Sequence, residues 1–243
     1  MNGSDTASVY REWRPAAAHP LVECWWEQRV DDRTGAYVQR VLPDACADVI
    51  VSADGRAIVV GPATSAHLVR LPAGEFLRGV RFRTAAAGAA LGLPAQEVRD
   101  LEVPLSDLFG AEEAARAADR IRRGEPPGFL DRGERDLRVE FALSGFGRDA
   151  ASRVVDVAGE LDLSERQLRR LVLAHTGLEP RTLRRVVRLQ RFLALADRAA
   201  PDGTLAGLAA GAGYADQAHL SREVRSLSGL TPSALLAERL GLA

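Results

Sequence analysis

Apolar and polar residues alternate along the first third of the chain and recur at helical spacing along most of the rest. Between Pro20 and Phe82 the runs LVECWWEQRV, AYVQRVLP, ADVIVSADGRAIVVGP and SAHLVRLPAGEFLRGVRFR switch between apolar and polar at short range and are rich in Val, Ile and aromatics. That is the period and composition of half-buried strands. Asp54-Gly55 and Ala73-Gly74 supply turn chemistry between them. After Thr84, AAAGAALGLPAQEVRDL and LSDLFGAEEAARAADRIRRG repeat their apolar residues every three or four positions, which predicts short helices. Gly124 to Glu134, GEPPGFLDRGE, combines adjacent prolines with glycines and charges and reads as a linker. From about Leu137 to Leu242 strand signals vanish. The expected class is α+β and multidomain: a β-rich domain over 1–123 that ends in short helices, a linker over 124–134, and an all-α domain over 135–243.

The helical half repeats itself. Shifted by 52 residues, LDLSERQLRRLVLAHTGLEP falls without gaps on GYADQAHLSREVRSLSGLTP: Leu168 meets Leu220, Arg170 meets Arg222, Val172 meets Val224, and Gly177-Leu178-x-Pro180 meets Gly229-Leu230-x-Pro232. Each copy predicts a short helix (Val154–Leu161; Leu205–Ala212), a tight turn, and a second helix opened by Ser164 or Asp216 as N-cap. This is the helix-turn-helix plan. Gly213 sits where the second turn needs a positive φ; Leu161 holds that place in the first copy, so the first turn has to differ. Glycine then stops each second helix and proline opens the next. The helix after Pro180, about 17 residues reaching to about Arg198, spans roughly 25 Å. Such a spacer sets two recognition helices about one DNA turn, roughly 34 Å, apart.

Leu168, Leu171 and Val172, with Leu220, Val224 and Leu227, form the buried stripes. Behind the cap Ser164, the outward residues are Arg166, Gln167, Arg169 and Arg170; in the second copy they are Gln217, Ala218, His219, Ser221 and Arg222. Arginine and glutamine are the side chains that read guanine and adenine edges bidentately, so this set, together with Ser164 at the start of the first helix, is the candidate DNA-contacting surface.

Charge sharpens that picture. All 32 basic residues are arginine and the net charge is −1, yet Ser164–Arg198 holds nine arginines against three acids, a basic patch within a neutral chain. The competing reading, a solvated helix face in an arginine-only chain, loses weight because the helix that carries these arginines is one of two matched units, with Arg170 falling on Arg222. With 47% hydrophobic and 27% charged residues, the 243-residue chain has enough apolar surface for two cores, which argues against disorder. Cys24 and Cys46 lack partners at metal-ligand spacing, and the N-terminus MNGSDTASVYREW has no signal-like apolar run. A soluble, cytoplasmic protein without metal or cofactor is expected.

Two helix-turn-helix units joined by a helix, the last reading GYADQAHLSREVRSLSGLTPSALL, resemble the C-terminal signature of the AraC/XylS family of bacterial transcription regulators over about Leu137 to Leu242. The resemblance implies that Arg166, Arg169 and Arg170 match base- or phosphate-contacting positions of the first recognition helix, and that Gln217, Ala218, Ser221 and Arg222 match those of the second. The family's usual aromatic on the buried face is Val172 or Val224 here, which implies a repacked core. YREWRP, LPDACADVIV, VVGP and GVRFRTAAAGAALGLP are similar to a poorly characterised N-terminal domain of actinobacterial-type members. By analogy that domain is a β-rich sensor or dimerisation unit. The partners implied are double-stranded DNA, a small-molecule effector and RNA polymerase, with the protein a monomer or a homodimer and no membrane involved.

Within the front domain, adjacent Trp25 and Trp26 point to opposite sides of a strand, one inward as core or pocket wall and one outward. Asp44 and Asp48 flank Cys46 and either form turns or project into a cavity, which makes Trp25, Trp26, Asp44 and Asp48 the candidate ligand site. Cys46 has no basic neighbour in sequence and reads as a small buried hydrophobe. His219 reads as a DNA contact or an idle surface histidine, while His175 reads as packing at its helix terminus. GAGYAD lacks the third glycine and the preceding strand of a dinucleotide loop. No Ser-His-Asp elbow, phosphate loop or carboxylate pair stands out, so the chain reads as no enzyme. Two other classes stay open: a small-molecule-binding β-domain protein or enzyme whose helical appendage does not bind DNA, and a sequence-indifferent DNA coater. Strong salt dependence separates the regulator from the first, and discrimination against random DNA separates it from the second.

Overall fold

The computed structural model describes residues 7–14, 19–33, 35–148, 153–198 and 204–240. The front half is built on an antiparallel six-stranded sheet in the order β1 (Ser8–Trp13), β2 (Val22–Val30), β7 (Phe76–Phe82), β4 (Asp48–Ser52), β5 (Ala57–Val60) and β8 (Glu102–Pro104). A separate hairpin-like pair, β3 (Tyr37–Val41) and β6 (His67–Leu71), lies antiparallel beside it. The expected turns are present, Gly55 and Gly74 both with positive φ. β1 and β8 lie outside the runs that alternation marks as strands.

The two faces of the sheet are treated differently. One carries Trp25, Val49, Val51, Val59, Val80 and Phe82 against α1 (Ala87–Leu91), α2 (Leu105–Phe109) and α3 (Ala111–Arg123), and is filled to a dry core. The other presents Trp26, Asp48, Ile50, Ile58 and Leu77 toward β3 and β6, and between these layers a cavity of about 350 Å³ remains. Because both faces are covered, Trp25 and Trp26 are both buried, at 1% and 4% exposure; the expectation that one of them faces outward is corrected. The stretch read as linker also contributes to the core. Gly128–Arg132 forms a 3₁₀ turn whose Phe129 and Leu130 pack under the helices, Phe129 stacking on Phe109 at 4.3 Å, because two large apolar side chains offset the proline and glycine signal.

The back half is helical: α4 (Leu137–Arg148), α5 (Val154–Glu160), α6 (Glu165–Thr176), α7 (Pro180–Ala196), α8 (Leu205–Ala212), α9 (Gln217–Ser228) and α10 (Pro232–Arg239). It has two cores. α4, α5 and α6 pack with Leu183 and Val186 of α7, whereas α8, α9 and α10 pack with Leu189, Phe192 and Leu193 further along the same helix. One continuous helix thereby belongs to both units and fixes them to each other.

The domains share side chains. Ala45 is buried in the core of the first helical unit, Leu42 packs on that of the second, and Pro43 between them accepts a 2.7 Å hydrogen bond from Gln190 of α7. Ala66 N–H donates to the Leu227 carbonyl at the end of α9.

Candidate nucleic-acid interface

Both recognition helices start as their sequences dictate. Ser164 caps α6 by accepting from the Gln167 N–H at 3.3 Å, and the Gln167 side chain accepts in return from the Ser164 N–H at 2.9 Å. Asp216 caps α9 by accepting from the His219 N–H at 2.6 Å. Each cap is worth about 1 kcal/mol. Gly177 and Gly229 end the helices in the left-handed conformation, and Pro180 and Pro232 open the helices that follow. The turns before them differ as expected: Gly213 carries the positive φ in the second copy, and in the first it moves one residue past Leu161 to Asp162, at 54°.

On α6, Leu168 and Val172 are fully buried, while Arg166, Gln167, Arg169 and Arg170 are exposed. On α9, Leu220 and Val224 are buried and Gln217, Ala218 and Arg222 are exposed. The two valines fill the places where an aromatic was expected, so the core is repacked without a gap in the stripe. Arg166, Arg170 and Arg222 make no ion pair among the described residues, which leaves their guanidiniums available. Arg169 is tied to Glu165 one turn earlier, Nε to Oε1 at 3.0 Å.

Besides Arg169, four predicted contact residues have other partners, the first being Ser164, whose hydroxyl is engaged with Gln167. Gln167 spends its carbonyl oxygen on the capping box, which the Ser-x-x-Gln spacing signals. Ser221 Oγ donates to the Gln217 carbonyl at 2.9 Å. His219 lies edge-on to Tyr214 at 5.3 Å, accepts at Nδ1 from the Ala215 N–H, and has Nε2 3.6 Å from Glu223. It holds the turn to the helix. His175 packs at the end of α6 as expected, where burial pushes its imidazole down.

Two features escaped sequence reasoning. Glu223, on the recognition helix α9, accepts from Arg188 of α7 at 2.7 Å and faces Arg185 at 3.4 Å, so α9 is locked to the spacer helix through a partly shielded carboxylate. The other is a pair of buried hydroxyls at matching places in the repeat. Thr176 Oγ1 donates to the Val172 carbonyl at 2.9 Å and accepts from the Leu178 N–H at 3.1 Å; Ser228 Oγ donates to the Val224 carbonyl at 2.7 Å and accepts from the Leu230 N–H at 3.1 Å. The shift of 52 residues aligns these two positions as well.

In the front domain, Trp26 lines the cavity and donates its Nε1–H to Asp48 at 2.6 Å, with Gly79 beneath the indole because any Cβ there would overlap the ring. Trp25 lies in the opposite core. Asp44 forms a turn, accepting from the Cys46 N–H at 2.9 Å, and lines a second cleft together with Cys46, Arg81 and Gln190. Arg81 lies near Cys46, but burial dominates and pushes that thiol well up; Cys24 is pushed up to about 11 for the same reason. Among the described residues no group of three or more His, Cys, Asp or Glu is placed to hold a metal, and no helix is long and apolar enough to cross a membrane.

Comparison with known proteins agrees with this layout. Residues 157–238 match the helix-turn-helix domain family, and residues 12–104 match a domain of unknown function, DUF6597. No curated protein matches the chain. Similar solved structures include the C-terminal domain of AraT, a response regulator from Geobacillus stearothermophilus, at 18% identity over 42% of this chain and 83% of that one, TM-score 0.37. A DNA-binding transcriptional dual regulator from Escherichia coli matches at 19% identity over 42% and 96%, TM-score 0.35. ToxT from Vibrio cholerae bound to an unsaturated fatty acid matches at 14% identity over 98% and 97%, TM-score 0.43. The chain carries a helix-turn-helix domain behind a DUF6597 domain.

Proposed function

We propose that this chain is an AraC-type helix-turn-helix transcription regulator and reads two successive major grooves with α6 and α9, acting in the cytoplasm, with residues 135–243 as the DNA-binding domain and 1–123 as the regulatory domain. Arg166 and Arg170 of α6, and Gln217, Ala218 and Arg222 of α9, make the base and phosphate contacts; Arg169, shared with Glu165, serves a phosphate. The observation that carries this reading is that the same exposed helix face occurs twice, and that one uninterrupted 17-residue helix enters both cores.

A small molecule in the front-domain cavity, or contact between two front domains, shifts that binding. The route is short. Gln39 and Val41 line the cavity, Arg40 between them donates to the Ser228 carbonyl at the end of α9, Pro43 is held by Gln190 of the spacer helix, and Asp48 returns to the cavity floor. A ligand that displaces this segment acts on both recognition units at once.

Selection of bound duplexes from a random-sequence pool by the full-length protein tests the reading. It predicts a motif of two half-elements about one turn apart, lost in the double variant Arg170→Ala/Arg222→Ala. A motif with a single element, or one that the double variant keeps, contradicts it.

A further inference from the structure

The cavity between the six-stranded sheet and β3–β6 says more than that something binds there. Its walls are Ile50, Ile58, Val60, Val69 and Leu77, aliphatic side chains left half-buried where the opposite face of the same sheet is packed solid. At about 350 Å³ it falls in the range of small-molecule sites. An apolar body is therefore required of any ligand.

The polar end sets the charge. Asp48 on β4 and Arg81 on β7 are cross-strand neighbours, and Arg81 is shared by Asp48 at 3.2 Å, Glu12 at 3.3 Å and Asp44 at 3.4 Å. Arg14 and Arg83 both pair with Glu23, outside this cavity. At the rim Arg56 and Arg70 balance Glu75 and Glu102. Around Asp48 the donors are engaged: Trp26 Nε1–H with Asp48, the Tyr10 hydroxyl with Glu12 at 2.6 Å, the Gln28 amide with Ser8 and Gln39, and Arg81 with its carboxylates, while Arg56, Arg70 and His67 line the cavity away from it with no ion pair among the described residues. Acceptor capacity is left over, on a buried carboxylate, and the Tyr10 and Trp26 rings lie 5.7 Å apart beside it. Beside Asp48 an anion finds no free donor, and a neutral polyol finds acceptors only. A protonated amine supplies donors to the Asp48 carboxylate and meets two aromatic rings whose π-systems attract cations.

We propose that the cavity takes a small amphipathic cation, with its apolar body between Ile50, Ile58, Val69 and Leu77 and one amino or amidino group on Asp48 beside Trp26. This rests on the reading of the cavity as the regulatory site.

The test is calorimetric titration of the full chain with phenylbutylamine and naphthylethylamine, alongside phenylbutanol and phenylbutyrate, which share the first body and change only the head group. The amine is expected to bind roughly tenfold or more tighter than the alcohol, with the acid weakest. Asp48→Asn, which keeps an acceptor for Trp26, should bring the amine down to the alcohol's affinity and leave the alcohol unchanged. Ile58→Phe, which fills the cavity, should weaken both. Failure of both amines to bind, an alcohol or acid that binds as well as the amine, or an amine preference that survives Asp48→Asn, overturns the proposal. Amine binding that follows the expected pattern but leaves affinity for the selected duplex unchanged supports the cation site while removing its regulatory role.

Discussion

Arg40 and Glu238 face each other across the boundary between the two domains, Arg40 Nε donating to Glu238 Oε1 at 2.9 Å while its Nη1 donates to the Ser228 carbonyl at 3.0 Å. The guanidinium comes from β3 of the front domain and the carboxylate from α10, the last helix. Arg40 is largely shielded, at 18% side-chain exposure, whereas Glu238 is 39% exposed, so solvent screens the ion pair and the bond to the Ser228 carbonyl carries more of the contact. Removing it frees a carbonyl and a carboxylate at once. Arg40→Ala is expected to destabilise the chain by roughly 1–3 kcal/mol. Glu238→Ala should cost less, because the bond to Ser228 survives, and the double variant should cost less than the two together. Denaturant unfolding of the four proteins checks this; additive losses would show that the two side chains do not act as a pair.

The hydroxyls of Thr176 and Ser228 each bridge a carbonyl inside a recognition helix and an N–H just beyond it. Thr176→Val keeps the shape and strands the Leu178 N–H. A loss of about 1–3 kcal/mol is expected, and a similar loss for Ser228→Ala. Equilibrium unfolding measures it, and wild-type stability in either variant would mean that water reaches the freed groups.

Burial pushes the Asp48 carboxyl up to about 6, against the pull of Arg81. A carboxyl raised in the folded state contributes stability that is complete below its unfolded value, about 4, and is lost as the pH rises through 6. Tyr10, Cys24 and Cys46 are pushed upward by burial and stay neutral across this window, while Arg81 stays charged. Asp48→Asn should therefore gain stability relative to wild type between about pH 4 and 6, at no more than about 1.4 kcal/mol per pH unit. Melting temperatures of both proteins across that range decide it; a constant difference would mean that Asp48 keeps one protonation state throughout.

Arg169 and Arg170 are adjacent, but only Arg169 is held by a neighbouring carboxylate. Arg170→Ala should reduce operator affinity by roughly 1–3 kcal/mol, and Arg169→Ala by less, flattening the salt dependence of binding by about one phosphate contact. Binding isotherms at several salt concentrations distinguish the two, and equal losses would contradict the division of roles.

The helical half was legible because its signals are local and occur twice: cap, stripe, glycine and proline recur at one offset, and each copy checks the other. The front half was harder to read. β1 is an edge strand whose YREW stretch shows little alternation of burial, and β8 has only three residues, so neither leaves a usable period. The pairing of β3 with β6, on a layer of its own, is a long-range relation that no local pattern encodes. Trp26 could not be told from a surface aromatic until that second layer was known. Gln167 and His219 show a different limit, since the residue types that read bases also cap helices and pack against tyrosine.

The central claim is that one chain reads DNA at two places with two equivalent helices. Its most direct test is the binding of wild type, Arg170→Ala and Arg222→Ala to the full set of single base-pair variants of the selected duplex. The account predicts that Arg170→Ala relaxes preference within one half-element and Arg222→Ala within the other, with the untouched half still discriminating as in wild type. Relaxation of the same positions by both variants, or a uniform loss at every position, would contradict it.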